Sequence, residues 1–137
     1  MYLFKKTVGW KENVTFCVDG YEFTVSATCD TGNGGMAPTL SIESFEYNEK
    51  TNRISFNYDG HDFKDLRVVG ITTPHVGTET HKRYAIDCDY IQIAGRKLKN
   101  VQLALSDKRK KTTQALINRK TLRDLELIVD PNLEFTA

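Results

Sequence analysis

The chain has 137 residues, with 19 Lys and Arg against 18 Asp and Glu, and its formal net charge is +1. This length favours a single domain with a sizeable hydrophobic core. The balanced charge argues against a protein held to nucleic acid or to an anionic membrane by its overall electrostatic field.

Targeting signals and disulfides are not indicated either. No apolar run is long enough to cross a bilayer, and MYLFKKTVGW at the start lacks the apolar core and cleavage site of a signal peptide. A cytoplasmic protein is therefore expected. The cysteines Cys17, Cys29 and Cys88 are odd in number and widely spaced, which favours reduced, buried thiols over a disulfide framework.

Apolar and polar residues alternate with period two along much of the chain, which predicts β-hairpins. The first two turns, Asp19-Gly20 and Asp59-Gly60, are dipeptides that readily adopt the positive φ angles of a tight turn. A third hairpin is centred on Ala94-Gly95. The paired runs are 14–18 with 21–27, 53–58 with 61–69, and 83–93 with 97–105.

One stretch has helical spacing. In NRKTLRDL, residues 118–125, Leu122 and Leu125 predict a short helix before the apolar strand ELIVD. The fold class expected is thus an all-β domain or closed barrel, with one short C-terminal helix and one domain over 1–137. The basic tract 108–111 is interpreted as a solvated loop, since no aromatic residues interrupt it as they would in a nucleic-acid site.

Asp30 is the candidate catalytic residue. It follows the apolar strand YEFTVSATC and begins the triplet Asp30-Thr31-Gly32. Asp-Thr-Gly is also ordinary turn chemistry, because Asp can cap its own backbone and Gly turns easily. A carboxylate at the end of a buried strand is costly without a partner, however, and this position favours a functional role.

The triplet and several motifs in order resemble the retropepsin-like aspartic peptidases, and most closely the bacterial and phage proteins called ATP-dependent zinc proteases. The resemblance spans nearly the whole chain. Its motifs are Gly9-Trp10, Asp30-Thr31-Gly32, Glu79 to Arg83-Tyr84, IQIAGRKLKNV, LALSDKR, LINR and LIVDP. It implies a retropepsin-like fold and a homodimeric endopeptidase that needs no cofactor and acts on peptides or proteins.

The resemblance also implies the site residues. Asp30, Thr31 and Gly32 would be catalytic, with Asp30 of each subunit meeting at a two-fold axis and Thr31 bonding across the dimer. Residues 70–83 would form a flap over the cleft, and the terminal segments MYLFKK and IVDPNLEF would form the dimer sheet. Four residues would bind substrate: Asn33, Gly34, His75 and Gly77.

The chain departs from this pattern at two places. Asn33 and GGMAPTLSIES replace the usual residues after Gly32, and Asn118 replaces a glycine. Asn33 is expected to donate a hydrogen bond to the Asp30 carboxylate, and Asn118 to preserve the backbone because Asn tolerates positive φ. The altered loop leaves open an alternative function, a retropepsin-fold binding or regulatory module without proteolysis, for example a partner of a peptide-glutamate ligase.

The zinc and ATP in the relatives' name have no counterpart among the motifs of this chain. Its histidines and cysteines show neither H-E-x-x-H nor paired C-x-x-C spacing, and no phosphate-binding G-x-x-x-x-G-K-[ST] loop occurs. The sequence therefore predicts no metal site.

Overall fold

The computed structural model describes residues 2–73, 82–107 and 112–135, together with the backbone of 75–76 and 79–80. Strands account for 66% of the described residues and one short helix lies near the C-terminus, which confirms the all-β prediction. In chain order the elements are β1 (Lys6–Val18), β2 (Tyr21–Cys29), β3 (Thr39–Ser41), β4 (Phe45–Asn48), β5 (Arg53–Tyr58), β6 (His61–Thr72), β7 (His75–Val76), β8 (Glu79–Thr80), β9 (Arg83–Ile93), β10 (Arg96–Ser106), β11 (Ala115–Ile117), α1 (Arg119–Asp124) and β12 (Leu127–Glu134).

Six of the strands close into a barrel, as expected. The order is β1-β2-β11-β3-β10-β9, and β9 returns to β1 where Val14 lies opposite Ile93 and Cys17 opposite Tyr90. Large apolar side chains fill its interior. Those with no measurable exposure include Phe16, Leu40, Ile91, Ile93, Leu103, Leu105 and Ile117.

Four further strands extend the barrel sheet. On one side, β6, β5 and β4 continue outward from β9, and on the other side β12 pairs in parallel with β1. The strands β4 and β12 are therefore the two edges of this sheet. Pro131 lies within β12, where an edge position accommodates a residue that has no N–H to donate.

The three predicted hairpins are confirmed as β1–β2, β5–β6 and β9–β10. Each turn has two residues at positive φ, as in Asp19 (49°) with Gly20 (76°) and Ala94 (55°) with Gly95 (78°). The predicted helix is α1. It has Asn118 as its N-cap and Leu125 as its C-cap, and it packs against β12.

The three cysteines are free and buried, as the sequence analysis expected. No helix among the described residues is long and apolar enough to span a membrane. The basic tract 108–111, which the sequence places in a solvated loop, lies outside the described residues.

Candidate active site

Asp30 lies directly after β2, at the edge of the barrel where β2 and β11 end side by side. The two strands are parallel, with Cys29 opposite Ile117, so their carboxyl ends meet. The Asp30 N–H donates to the Ile117 carbonyl at 2.9 Å, and the Asp30 Oδ1 accepts the Gly32 N–H at 3.0 Å. Asp30 therefore lies at a strand end, as predicted, but it is half-buried there and not enclosed within the sheet.

The residues after Asp30 form a compact loop, here called the Asp30 loop (residues 30–35). The Asn33 N–H donates to the Asp30 carbonyl at 3.2 Å, and the Asn33 carbonyl accepts the Arg119 N–H at 2.9 Å. The Asn33 Oδ1 accepts the Gly35 N–H at 2.8 Å. A Cβ on Gly35 would lie 2.9 Å from that same oxygen, so the turn favours glycine there.

The expected bond from the Asn33 side chain to the Asp30 carboxylate is not among the hydrogen bonds of the described residues. The Asn33 side chain uses its oxygen for the Gly35 N–H instead, in the local turn that Asn commonly forms with the residue two positions on. Among the described residues, the Asp30 carboxylate is held by the Gly32 N–H.

Asn118 anchors the same loop from the other strand end. It is completely buried, and its Nδ2 donates to the Gly35 carbonyl at 2.8 Å. Its Oδ1 has no hydrogen-bond partner in the part of the chain that the structure describes. Its φ is −77°, so the expected reason for Asn at this position, tolerance of positive φ, is wrong. The side chain makes the contact that a glycine could not.

A cavity of about 460 Å³, here called the cleft, opens beside the Asp30 loop. It lies between that loop, the end of β6 and the start of β9. Its lining is mostly small or uncharged: Asn33, Gly35, Met36, Ala37, Thr39, Gly70, Thr72, Thr73, Arg83, Ala85, Gln102 and Ala104.

The predicted flap, residues 70–83, contains the hairpin β7–β8, with His75 opposite Thr80 and Val76 opposite Glu79. This hairpin connects β6 to β9, the two strands whose ends line the cleft. Gly77 and the side chain of His75, both predicted to bind substrate, lie outside the described residues.

Arg83 is the charged residue of the cleft lining. Its side chain is half-buried, and its Nε has no hydrogen-bond partner among the described residues. Burial lowers the pKa of its guanidinium, because removal from water disfavours the charged form. A buried guanidinium N–H without an acceptor is suited to donate to an oxygen of a ligand.

On its other side, the Asp30 loop borders a second cavity of about 310 Å³, here called the terminal cavity. It is formed by Thr31, the N-terminal segment, α1 and the start of β12. Its lining residues are Lys5, Thr31, Arg119, Leu122, Arg123, Glu126 and Leu127. The predicted catalytic loop therefore lies between the cleft and both terminal segments.

No group of three or more His, Cys, Asp and Glu side chains that could hold a metal ion occurs within residues 2–73, 82–107 and 112–135. Sequence patterns assign no binding role to two residues that line or support the site, Arg83 and Asn118. Arg83 belongs to the Glu79 to Arg83-Tyr84 motif, and Asn118 stands where the retropepsin-like pattern has a glycine.

Comparisons with known proteins bear on the fold. No protein-family model matches the chain, and no curated protein matches it. Among solved structures, the chain is similar to a Legionella pneumophila protein of unknown function, Lpg0085 (DUF785), with a TM-score of 0.66 and 20% sequence identity. The match covers 96% of this chain and 97% of that chain. At this identity the likeness shows a shared fold over the full length.

Proposed function

We propose that this protein is a homodimeric, retropepsin-like aspartic endopeptidase in which Asp30 of each subunit forms one catalytic pair. The observation that carries the proposal is the position of Asp30. It is half-buried at the end of a barrel strand, in a loop that contributes Asn33 and Gly35 to the cleft of about 460 Å³ and Thr31 to the terminal cavity.

The terminal segments supply a surface suited to a second copy. β12 is an edge strand, and an edge offers unpaired N–H and C=O groups to another chain. Exposed apolar residues lie in both segments: Leu3 (93% exposed), Phe4 (78%), Ile128 (49%) and Phe135 (48%). Thr31 shares the terminal cavity with Lys5 and Leu127, so an isologous contact through these segments would bring the two Asp30 loops toward one axis.

The paired carboxylates would share one proton, because two such groups a few ångströms apart do not both ionise. The ionised carboxylate takes a proton from a water as its oxygen attacks the scissile carbonyl carbon, and the protonated carboxyl donates to the carbonyl oxygen. The gem-diol then collapses: the carboxyl that took the proton from water donates it to the leaving nitrogen as the C–N bond breaks, and the other carboxylate removes a proton from a hydroxyl of the gem-diol, which restores the starting pair. No metal is required in this sequence.

In the proposed peptidase, an extended peptide would bind in the cleft, beside the two strands that the β7–β8 hairpin connects. The apolar lining from Ala37, Ala85 and Ala104 would contact its side chains, while Asn33, Gln102 and Arg83 offer polar atoms for its backbone. The Arg83 guanidinium is the strongest donor of these, since it is charged and half-buried.

The experiment compares wild type with Asp30→Asn on a mixed peptide library at mildly acidic and neutral pH. Asp87→Asn is the matched control, because Asp87 is a mostly exposed aspartate on β9 that forms a surface ion pair with Arg67. We expect cleavage by wild type and Asp87→Asn and none by Asp30→Asn. Equal cleavage by Asp30→Asn would contradict the proposal.

Sedimentation of wild type tests the dimer separately. If wild type sedimented as a monomer and still cleaved peptides, the paired-Asp30 mechanism would be excluded. The peptidase activity would then need another explanation. If none of the proteins cleaves but wild type binds library peptides in the cleft, the function is the alternative one, a binding module without proteolysis.

A further inference from the structure

We propose that Asn118 is a positioning residue that holds the glycine-rich part of the Asp30 loop on the floor of the cleft. It would do so through the hydrogen bond from its Nδ2 to the Gly35 carbonyl. The effect on loop conformation stands independently of catalysis, whereas the effect on substrate binding rests on the proposed peptidase function.

The Asn118 side chain is buried without the helix-capping hydrogen bond that its position normally makes. Asparagine at a helix N-cap normally turns its oxygen to the free N–H groups of the first helical turn. Asn118 makes no such cap, is fully buried, and leaves its Oδ1 without a partner among the described residues. An unsatisfied buried acceptor is costly, so the orientation is explained by what the amide nitrogen gains.

The Gly35 carbonyl is fixed by a donor from outside the Asp30 loop. Gly34 and Gly35 have no side chains that could fix their conformation by contacts, and glycine loses more backbone freedom on folding than any other residue. Inside the loop, the Gly35 N–H is bonded to Asn33 Oδ1. The Gly35 carbonyl receives its bond from Asn118, a residue 83 positions away in the sequence. That bond ties the loop to the end of β11.

Two departures from the retropepsin-like pattern meet in the hydrogen bond between Asn118 and Gly35. The chain has Asn118 where that pattern has glycine, and a glycine pair after Asn33 where the pattern has other residues. A glycine at 118 would leave the Gly35 carbonyl without this donor. We infer that the asparagine compensates for the altered loop and preserves a fixed cleft floor.

Asp30 has separate supports, from the Ile117 carbonyl and the Gly32 N–H. Loss of the Asn118 bond should therefore loosen Asn33 and Gly35, which line the cleft, more than Asp30 itself. In the proposed peptidase this predicts weaker substrate binding with chemistry retained, so KM should rise while kcat changes little.

The test is amide hydrogen exchange measured by NMR on wild type, Asn118→Gly and Asn118→Asp at neutral pH. Asn118→Asp keeps the shape of the side chain but removes the donor, and Asn118→Gly removes the side chain without adding a charge. We expect exchange at Asn33, Gly35 and Arg119 to rise about tenfold in both variants, from the loss of one buried hydrogen bond. Exchange in the barrel strands should stay close to the wild-type rates.

Asn52→Gly is the control variant. Asn52 also donates from Nδ2 to a carbonyl, that of Val68 at 3.1 Å, and its φ of 54° suits glycine. It should leave the Asp30 loop unchanged. Unchanged loop exchange in Asn118→Gly, or an equal increase across the whole barrel, would overturn the proposal. Absence of peptide cleavage by wild type would count against the peptidase function alone, because exchange is measured without substrate.

Discussion

Single hydrogen bonds set the geometry around Asp30. Two side-chain oxygens, from Asp30 and Asn33, each accept the N–H of the residue two positions later. The sequence could indicate such turns, because Asp and Asn before glycine favour them. It could not indicate the bond from Asn118 to Gly35, or that the Arg83 side chain is half-buried in the cleft lining, since both depend on residues brought together from distant parts of the chain.

Arg83 gives a prediction at this scale. Arg83→Gln should raise KM for peptides about tenfold to a hundredfold, because a hydrogen bond from a charged group contributes about 1.5–3 kcal/mol. The free protein should not lose stability, since a half-buried guanidinium with an unsatisfied Nε is itself costly. Steady-state kinetics and urea unfolding measure the two effects.

Arg67→Gln is the control for this prediction. Arg67 is 68% exposed and forms a surface ion pair with Asp87, so its loss should change neither KM nor stability appreciably. A normal KM in Arg83→Gln, or the same increase in Arg67→Gln, would rule out a role for Arg83 in binding.

Cys29 gives a prediction on pH dependence. Desolvation by burial, with a smaller contribution from Glu12, raises the pKa of the Cys29 thiol from 9.0 to about 12. Between these values the unfolded chain loses the proton and the folded chain keeps it. The stability that this thiol contributes is therefore complete below pH 9 and declines above it, by at most about 1.4 kcal/mol per pH unit.

Urea unfolding at pH 7 and pH 10 measures this decline. Cys29→Ala should lose less stability than wild type between the two pH values, whatever its stability at pH 7. Cys88→Ala provides a parallel case, because burial likewise raises the Cys88 pKa to about 12. Equal pH dependence in wild type and both variants would show that neither thiol remains protonated in the folded chain.

At the scale of elements, sequence patterns predicted what is local. The three hairpins followed from alternation and from turn residues such as Asp19-Gly20, and α1 followed from the spacing of Leu122 and Leu125. The parallel pairings of β11 with β2 and of β12 with β1 join segments far apart in the chain. Local periodicity contains no information about such partners, and the short strands β3 and β4 gave too few residues to show a pattern.

Gly9 lies in β1, where that strand packs closely against β12, and its substitution tests this pairing. A Cβ at Gly9 would lie 2.4 Å from the Leu133 carbonyl oxygen and 2.9 Å from the Glu134 Cα, both backbone atoms. Gly9→Ala should therefore displace β12 and lower the free energy of unfolding by about 1–3 kcal/mol. Chemical denaturation measures the change.

Gly70→Ala is the matched control, because a Cβ there would meet the Ala85 Cβ at an ordinary 3.8 Å. If Gly9→Ala and Gly70→Ala proved equally stable, the close approach of β12 to β1 would be wrong. Since β12 belongs to the proposed dimer surface, Gly9→Ala should also weaken dimerisation, whereas Gly70→Ala should not.

At the scale of the whole molecule, the two edges of the sheet bear on the proposed dimer. Closing six strands into a barrel removes their edges, but the sheet still ends in β12 and β4. Leu3, Phe4 and Ile128 are exposed apolar residues of the terminal segments, and Thr31 shares the terminal cavity with Leu127 at the start of β12. In the proposed peptidase, one contact between copies would cover the β12 edge and bring together the two Asp30 side chains that the mechanism requires.

This arrangement makes a quantitative prediction for mixed dimers. If each active unit needs Asp30 from both subunits, wild type mixed with an equal amount of Asp30→Asn and allowed to exchange subunits will form only about one quarter active dimers. Cleavage per total protein should then follow the square of the wild-type fraction. Mixing with Asp87→Asn should instead leave full activity. A linear decline with the wild-type fraction would mean that one Asp30 is sufficient, and the shared-proton mechanism would have to be abandoned even if the dimer itself were real.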